Sequence, residues 1–146
     1  MQSDNKFGEL VYELQFLRGV GESIQQRIGL INSTIAELQL AISTLEGISN
    51  EEPGVSMLVP IGGGSYVRAK LDDKEKLIIG IGADIAVEKN ISTAKDDFQT
   101  RIIELEKVRL SLRQQLEETS LKTEEIQREI QKISKTSGEA EDVRGA

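Results

Sequence analysis

Two long segments with a heptad pattern of apolar residues flank the centre of this chain, and this pattern limits the possible folds more than any other feature. The first stripe is broken once, at Gly21, and consists of Phe7, Leu10, Leu14, Leu17, Ile24, Ile28, Ile31, Ile35, Leu38, Ile42 and Leu45. A repeat of about 3.5 residues keeps one stripe of a helix facing a partner along its whole length. We therefore predict a coiled-coil helix over residues 1–48, ended by a left-handed Gly47.

The second segment carries a matching stripe, which consists of Ile91, Phe98, Ile102, Leu105, Leu112, Leu116, Ile126, Ile130 and Ile133. Four polar residues interrupt it: Lys95, Arg109, Thr119 and Thr123. Asn90 is a favourable N-cap residue, so we predict a second coiled-coil helix over residues 90–135. The polar residues 136–146 are predicted to form a flexible tail.

The two helices can pair within one chain only by folding back on each other. They should then run antiparallel, with residues at the same height having numbers that sum to roughly 138. The first helix would be roughly 65 Å long, whereas a compact domain of this length is about 40 Å across. We therefore predict an elongated α+β fold with both chain ends at one end of the coiled coil, which we call the tip.

The middle segment, residues 55–89, has the pattern of two β-hairpins that join the helices. Strands are predicted at 55–61 and 65–71 around Gly62-Gly63-Gly64, and at 77–82 and 85–89 around a tight turn. Isolated hairpins are marginal in water, so their apolar faces should be covered by other subunits in a sheet or barrel between subunits. A four-stranded sheet covered by the helix bases is the alternative. The predicted assembly residues are Val59, Ile61, Val67, Ala69, Leu71, Ile79, Ile81, Ile85 and Val87.

Composition excludes several classes of function. The net charge of -7 argues against a basic nucleic-acid interface. Without Cys or His, the chain has neither a Ser-His or Cys-His nucleophile nor a His-rich metal site, and we predict no enzyme, cofactor or metal. The Gly62-Gly63-Gly64 run lacks the Lys-Ser/Thr of a phosphate-binding loop. With no signal peptide and no long uninterrupted apolar run, we expect a cytoplasmic chain without a membrane partner.

Near the tip, apolar residues also occur outside the stripe. Tyr12 and Phe16 fall at outward heptad positions one turn apart, Val11 flanks the stripe, and Leu121 is outward on the second helix. Neighbouring apolar side chains of this kind indicate a surface that binds other apolar surfaces. Alternatively, they close the end of the coiled coil or contact a neighbouring rod. Off-stripe residues nearer the centre are interpreted as subunit contacts: Leu30, Leu40, Ile103 and Leu110.

The central motif resembles a known family. Residues 58–71, Leu-Val-Pro-Ile-Gly-Gly-Gly-Ser-Tyr-Val-Arg-Ala-Lys-Leu, followed by Ile81-Gly82-Ala83-Asp84 and Val87-Glu88-Lys89, lie between two heptad helices. This arrangement is similar to that of archaeal prefoldin alpha subunits over nearly the whole chain. Two hairpins rather than one distinguish the alpha type from the beta type.

The resemblance implies an ATP-independent chaperone in which two alpha and four beta-type subunits build a double β-barrel body with six coiled coils. The tips would hold unfolded client proteins and pass them to a group II chaperonin. Together with the tip pattern, this predicts a client-binding set: Phe7, Leu10, Val11, Tyr12, Phe16, Leu121, Ile126, Ile130 and Ile133. A structural coiled-coil tether and a prefoldin-like scaffold subunit of another complex remain alternatives.

Overall fold

The computed structural model of the chain describes residues 2–145, which form two long helices joined by two hairpins. In chain order these are α1 (Gln2–Ser49), β1 (Ser56–Gly62), β2 (Ser65–Lys70), β3 (Lys76–Gly82), β4 (Ile85–Asn90) and α2 (Ile91–Arg144). Each hairpin is its own two-stranded antiparallel sheet. The predicted α+β fold, with two helices around two hairpins, is confirmed.

The chain divides into two compact units. The first, which we call the terminal unit, takes α1 up to Asn32 and α2 from Glu106 onward. The second, the hairpin unit, runs from Ser33 to Leu105 and so holds the remaining parts of both helices and all four strands.

The predicted heptad stripes are the faces that the helices bury. Every stripe residue of α1 from Leu10 to Leu45 is buried or half-buried, and so is every stripe residue of α2 from Ile91 to Ile133. The four polar interruptions of the α2 stripe are also half-buried. The sequence period therefore predicted the packed face of both helices, including the positions where that face is polar.

In the terminal unit, two contacts establish the direction of pairing. A Cβ on Gly21 would lie 3.9 Å from Leu116 Cδ1, and Arg109 Nη1 donates a hydrogen bond to Asn32 Oδ1 at 2.9 Å. As the residue number rises along α1, the number of its partner on α2 falls. The helices of this unit are therefore antiparallel, in the register expected from the sequence.

In the hairpin unit, the core lies where the second hairpin meets the helices. Leu45, Ile91 and the fully buried Ala94 form a cluster, and Leu77 and Ile79 of β3 pack against it. Ile48 and Phe98 complete this layer. The second hairpin is thus anchored on the helices, which are also linked here by a 3.5 Å ion pair between Lys95 Nζ of α2 and Glu46 Oε1 of α1.

Of the two helix ends next to the hairpins, the start of α2 matches the prediction and the end of α1 corrects it. Asn90 Oδ1 accepts a hydrogen bond of 2.7 Å from the Thr93 backbone N–H, as predicted for an N-cap. The predicted left-handed Gly47 is wrong, because α1 continues through Ser49 and Gly47 does not have positive φ. Continuing the helix brings Ile48 into the core layer, while Ser49 Oγ bonds to the Leu45 carbonyl at 2.8 Å.

At its other end, α2 is longer than predicted. The sequence interpretation ended the helix at residue 135 and assigned the rest to a tail, but the helix runs to Arg144. The added stretch contains one glycine, Gly138, and no proline, so nothing in it prevents the backbone from continuing as a helix.

The two hairpins repeat the same backbone design. Each strand pairing of the first hairpin recurs 20 residues later in the second, so that Ser56↔Lys70 corresponds to Lys76↔Asn90. The register irregularity just before the turn also recurs. Gly62 and Gly82, at φ 105° and 103°, end β1 and β3. The two residues that follow each of them also have positive φ, as type I′ turns require.

The length and apolar composition of α1 would also suit a helix that crosses a membrane. This is weak support for a membrane span, because a helix that pairs its apolar side with another helix passes the same test. Here the apolar residues from Leu10 to Leu45 follow the heptad stripe that faces α2. The absence of a membrane partner stays a prediction.

The turn geometry predicts different responses at two glycines of β3. Gly82→Ala should lower the free energy of unfolding by about 1–2 kcal/mol, because an L-side chain is strained at φ 103°. Gly80→Ala is the matched control, since Gly80 lies in the same strand, has no positive φ and has open space around its Cβ position. Thermal unfolding followed by circular dichroism measures both, and equal losses would contradict the strain argument.

Candidate functional site

The most exposed aromatic side chains of the terminal unit lie on α1. Tyr12 is 74% and Phe16 is 62% exposed. Residues four apart are neighbours on a helix surface, so the two rings form a row along the face that points away from α2. Their predicted outward positions are therefore confirmed.

A gap in the side-chain cover of α1 lies beside this row. Gly8 is a surface neighbour of both Val11 and Tyr12, at three and four residues' distance, and apart from its chain neighbours and the local helix backbone nothing lies within 4 Å of its Cβ position. Val11 is half-buried on one side of the gap, next to Phe7, which is 40% exposed. We call the surface formed by Phe7, Gly8, Val11, Tyr12 and Phe16 the aromatic notch.

The structure separates the other predicted client-binding residues from the aromatic notch. Leu10 and Ile126 are 8% and 7% exposed, because they belong to the packed stripe between the helices. These two residues do not offer surface to a client while the helices are paired, which corrects their predicted role. Ile130 and Ile133 are half-buried in the same stripe.

Leu121 is 55% exposed, but it lies at an outward position of α2. Outward positions of two paired helices point in opposite directions, so Leu121 is not part of the aromatic notch. The sequence interpretation grouped Leu121 with the α1 residues because they lie at a similar height in the coiled coil. Height alone does not say on which side of the pair a residue lies.

The predicted assembly residues of the hairpins are the second candidate surface. Five of the nine are exposed in the single chain: Val59, Ile61, Val67, Ile81 and Ile85. The other four are half-buried: Ala69, Leu71, Ile79 and Val87. Both sheets have two strands, so every strand has an unpaired edge.

The opposite faces of the hairpins also carry apolar residues, which the alternation pattern missed. Leu58 and Tyr66 are 63% and 61% exposed in the first hairpin, and Ile78 is 72% exposed in the second. The signal was present as uninterrupted apolar runs, Leu58-Val59 and Leu77-Ile78-Ile79, which are typical of strands covered on both faces. The opposite faces are therefore mixed, since Leu58 pairs with Arg68 and Ile78 pairs with Glu88.

An apolar groove of about 530 Å³ continues this surface within the hairpin unit. It lies between α1 and β3, and its walls include Leu40, Ile48, Ile78 and Phe98. Leu40, predicted as a subunit contact, is 68% exposed. The exposed apolar surface of the hairpin unit thus extends from the strands onto the outer side of α1.

Among the side chains that the structure describes, no group of three or more acidic residues is placed to hold a metal ion. The buried ones among them are all apolar, so no carboxyl of this set is held in a desolvated position.

Comparisons with known proteins agree with this architecture. The family model for prefoldin subunits matches residues 18–136. The prefoldin subunit alpha of Methanococcus aeolicus is 32% identical, with 82% of this chain and 81% of the relative covered. That of Pyrococcus horikoshii is 30% identical, with 90% of both chains covered.

A chain in the cryo-EM structure of filamentous PFD from Methanocaldococcus jannaschii is similar in fold, with a TM-score of 0.69 and 27% identity. The match covers 80% of this chain and 96% of that one. Paired long helices joined through two hairpins, together with these similarities, define a coiled-coil chaperone subunit of the prefoldin type. The chain belongs to the prefoldin family, as a subunit of the alpha type.

Serine substitutions should separate packing residues from surface residues in the terminal unit. Leu10→Ser should lower the free energy of unfolding by about 3 kcal/mol, because it removes a buried leucine from the stripe. Tyr12→Ser should change it by less than about 0.5 kcal/mol, since that side chain is exposed. Chemical denaturation measures both values. A loss at Tyr12 as large as that at Leu10 would mean that the tyrosine is a packing residue.

Proposed function

We propose that this chain is the alpha subunit of a cytoplasmic, ATP-independent chaperone that holds non-native proteins and delivers them to a group II chaperonin. Two copies would assemble with four beta-type subunits through the hairpins. The observation that carries the client-holding role is the aromatic notch, which leaves Tyr12 and Phe16 uncovered beside the open position of Gly8.

The chemistry of the notch suits clients that have no common sequence. Apolar contact is non-directional, so rings and aliphatic groups can bind many different exposed segments. Burying one or two large side chains against the notch contributes a few kcal/mol, on the order of 1.5–3 kcal/mol for each. A single notch would therefore bind weakly and release quickly.

Several subunits acting together would compensate for this weakness. Binding sites linked through one body raise the apparent affinity by about 10²–10⁴ without any new contact. A client that folds withdraws its apolar segments one at a time, so release does not need nucleotide hydrolysis. A shallow apolar surface repeated on several chains would therefore give weak binding at each notch and strong binding of the client by the whole complex.

Assembly is proposed to use the hairpins, because their apolar residues have no cover within the chain. Leu58, Ile78 and Ile81 are each at least 60% exposed. Strands of neighbouring subunits would pair with the free edges and cover these faces, as in the barrel expected from the sequence. Beta-type subunits are the partners that the alpha-type identity favours.

Client holding is tested by replacing the three exposed aromatic residues of the notch. The variant Phe7→Ser, Tyr12→Ser, Phe16→Ser should suppress aggregation of a denatured client several-fold less well, because it removes the apolar surface of the notch. Light scattering of chemically denatured citrate synthase, in the presence of the assembled complex, measures the effect.

The matched control is Val108→Ser, which removes an exposed apolar side chain elsewhere in the terminal unit, at a position with no predicted role in assembly. This control should suppress aggregation as the unmodified complex does. Equal suppression by the notch variant and the unmodified complex would refute the role of the notch.

A second candidate is a structural role as a scaffold or filament subunit, which the similarity to a chain of filamentous PFD favours. Native mass spectrometry of the complex purified from its own cells distinguishes the two. We expect two copies of this chain with four of a shorter partner. A homopolymer, or a complex with unrelated partners, would favour the structural role and exclude the proposed hexamer.

A further inference from the structure

Two carboxylates lie directly alongside the aromatic row of the notch. Glu9 precedes Tyr12 by three residues and Glu13 precedes Phe16 by three, which makes each pair surface neighbours on α1. Both glutamates are exposed. The outer face of α1 therefore carries an acidic row parallel to an aromatic one.

Neither carboxylate of the acidic row forms an ion pair with a described side chain, and the basic residue at neighbour spacing is Lys6, three residues before Glu9. Among the described side chains, the ion pairs are Lys89–Asp97, Lys95–Glu46 and Arg128–Glu124. The aromatic row has Gln15 and Gly19 as neighbours on its other side, so the charge is confined to one edge.

A carboxylate row beside exposed rings has the chemistry that recognises lysine and arginine. Both side chains place an aliphatic stem on apolar surface while the charged end reaches outward. The cation is also attracted to the face of an aromatic ring. Here a stem could lie against Tyr12 or Phe16 while its charge lies near Glu9 or Glu13.

The spacing of the acidic row also suits an extended segment. Glu9 and Glu13 are separated by about 6 Å along the helix axis. Alternate residues of an extended strand are about 6.6 Å apart and point to the same side. Two basic residues separated by one apolar residue would therefore match both carboxylates, while the apolar residues turn toward Gly8 and Val11.

From this geometry we infer that the notch selects extended non-native segments in which basic and apolar residues alternate, and that it discriminates against acidic ones. The inference rests on the proposed client-holding function and adds the chemical class of client segment to it. Specificity would come from Glu9 and Glu13, and most of the binding from the rings.

Two labelled nine-residue peptides test the preference, one alternating leucine with lysine and the other alternating leucine with glutamate. Fluorescence anisotropy with the assembled complex at low salt should give an affinity about three- to tenfold higher for the lysine peptide. Glu9→Gln with Glu13→Gln should remove most of this difference. High salt should do the same, because both partners are exposed to solvent.

Two further variants keep the result interpretable. Glu104→Gln with Glu106→Gln makes the same change in net charge, but at exposed positions of α2 outside the acidic row. This variant should keep the preference for the lysine peptide. Tyr12→Ser with Phe16→Ser should weaken the binding of both peptides, which tests the client-holding function itself. An intact lysine preference after loss of Glu9 and Glu13 would overturn the inference, even if the aromatic variant confirmed the notch.

Discussion

Burial of one apolar stripe between two helices is the interaction on which the rest of the structure depends. Few side chains are fully buried, and most stripe residues, such as Leu14 and Leu116, are only half-buried. A long helix is marginal alone in water, so many partial burials, each of modest value, must add up along the pair. Within each unit, this packing decides which helix faces stay exposed, and in the hairpin unit it also anchors the second hairpin.

The seam also explains why the hairpins are left open. The apolar stripes of the two helices pack against each other, so little apolar helix surface remains to cover a sheet. The contact between the helices and the second hairpin is the layer around Leu45, Leu77 and Ile79. Most of the remaining apolar strand residues are exposed, while Met57, Ala69 and Val87 are half-buried. Exposed apolar strands with free edges are a hazard for a protein that stays monomeric. In a subunit of the prefoldin family, the same surface is suited to assembly.

Most of the fold could be predicted because the strongest local signals agree with the tertiary contacts. The heptad spacing predicted the buried faces down to the half-buried Arg109 and Thr119, and glycine placement predicted both hairpin turns. Helix ends were less predictable, because they depend on tertiary contacts. The contact of Ile48 with the core layer favours continuing α1 past Gly47. The client-binding set was predicted by height along the pair, which could not separate the buried Leu10 from the exposed Tyr12 or the opposite-facing Leu121.

The glycines of α1 connect stability with function in the terminal unit. Each lowers helix stability by about 1 kcal/mol relative to alanine, yet they occupy positions with distinct effects. Gly8 leaves a gap beside Val11 and Tyr12, and Gly21 leaves a stripe position without a side chain, opposite Leu116 and Thr119. Binding surfaces are commonly drawn from the less stable parts of a protein, because a surface that holds many clients must stay uncovered and adaptable. At Gly8 the same missing side chain that lowers helix stability also leaves open space beside the ring of Tyr12, which suits the proposed use of the aromatic notch.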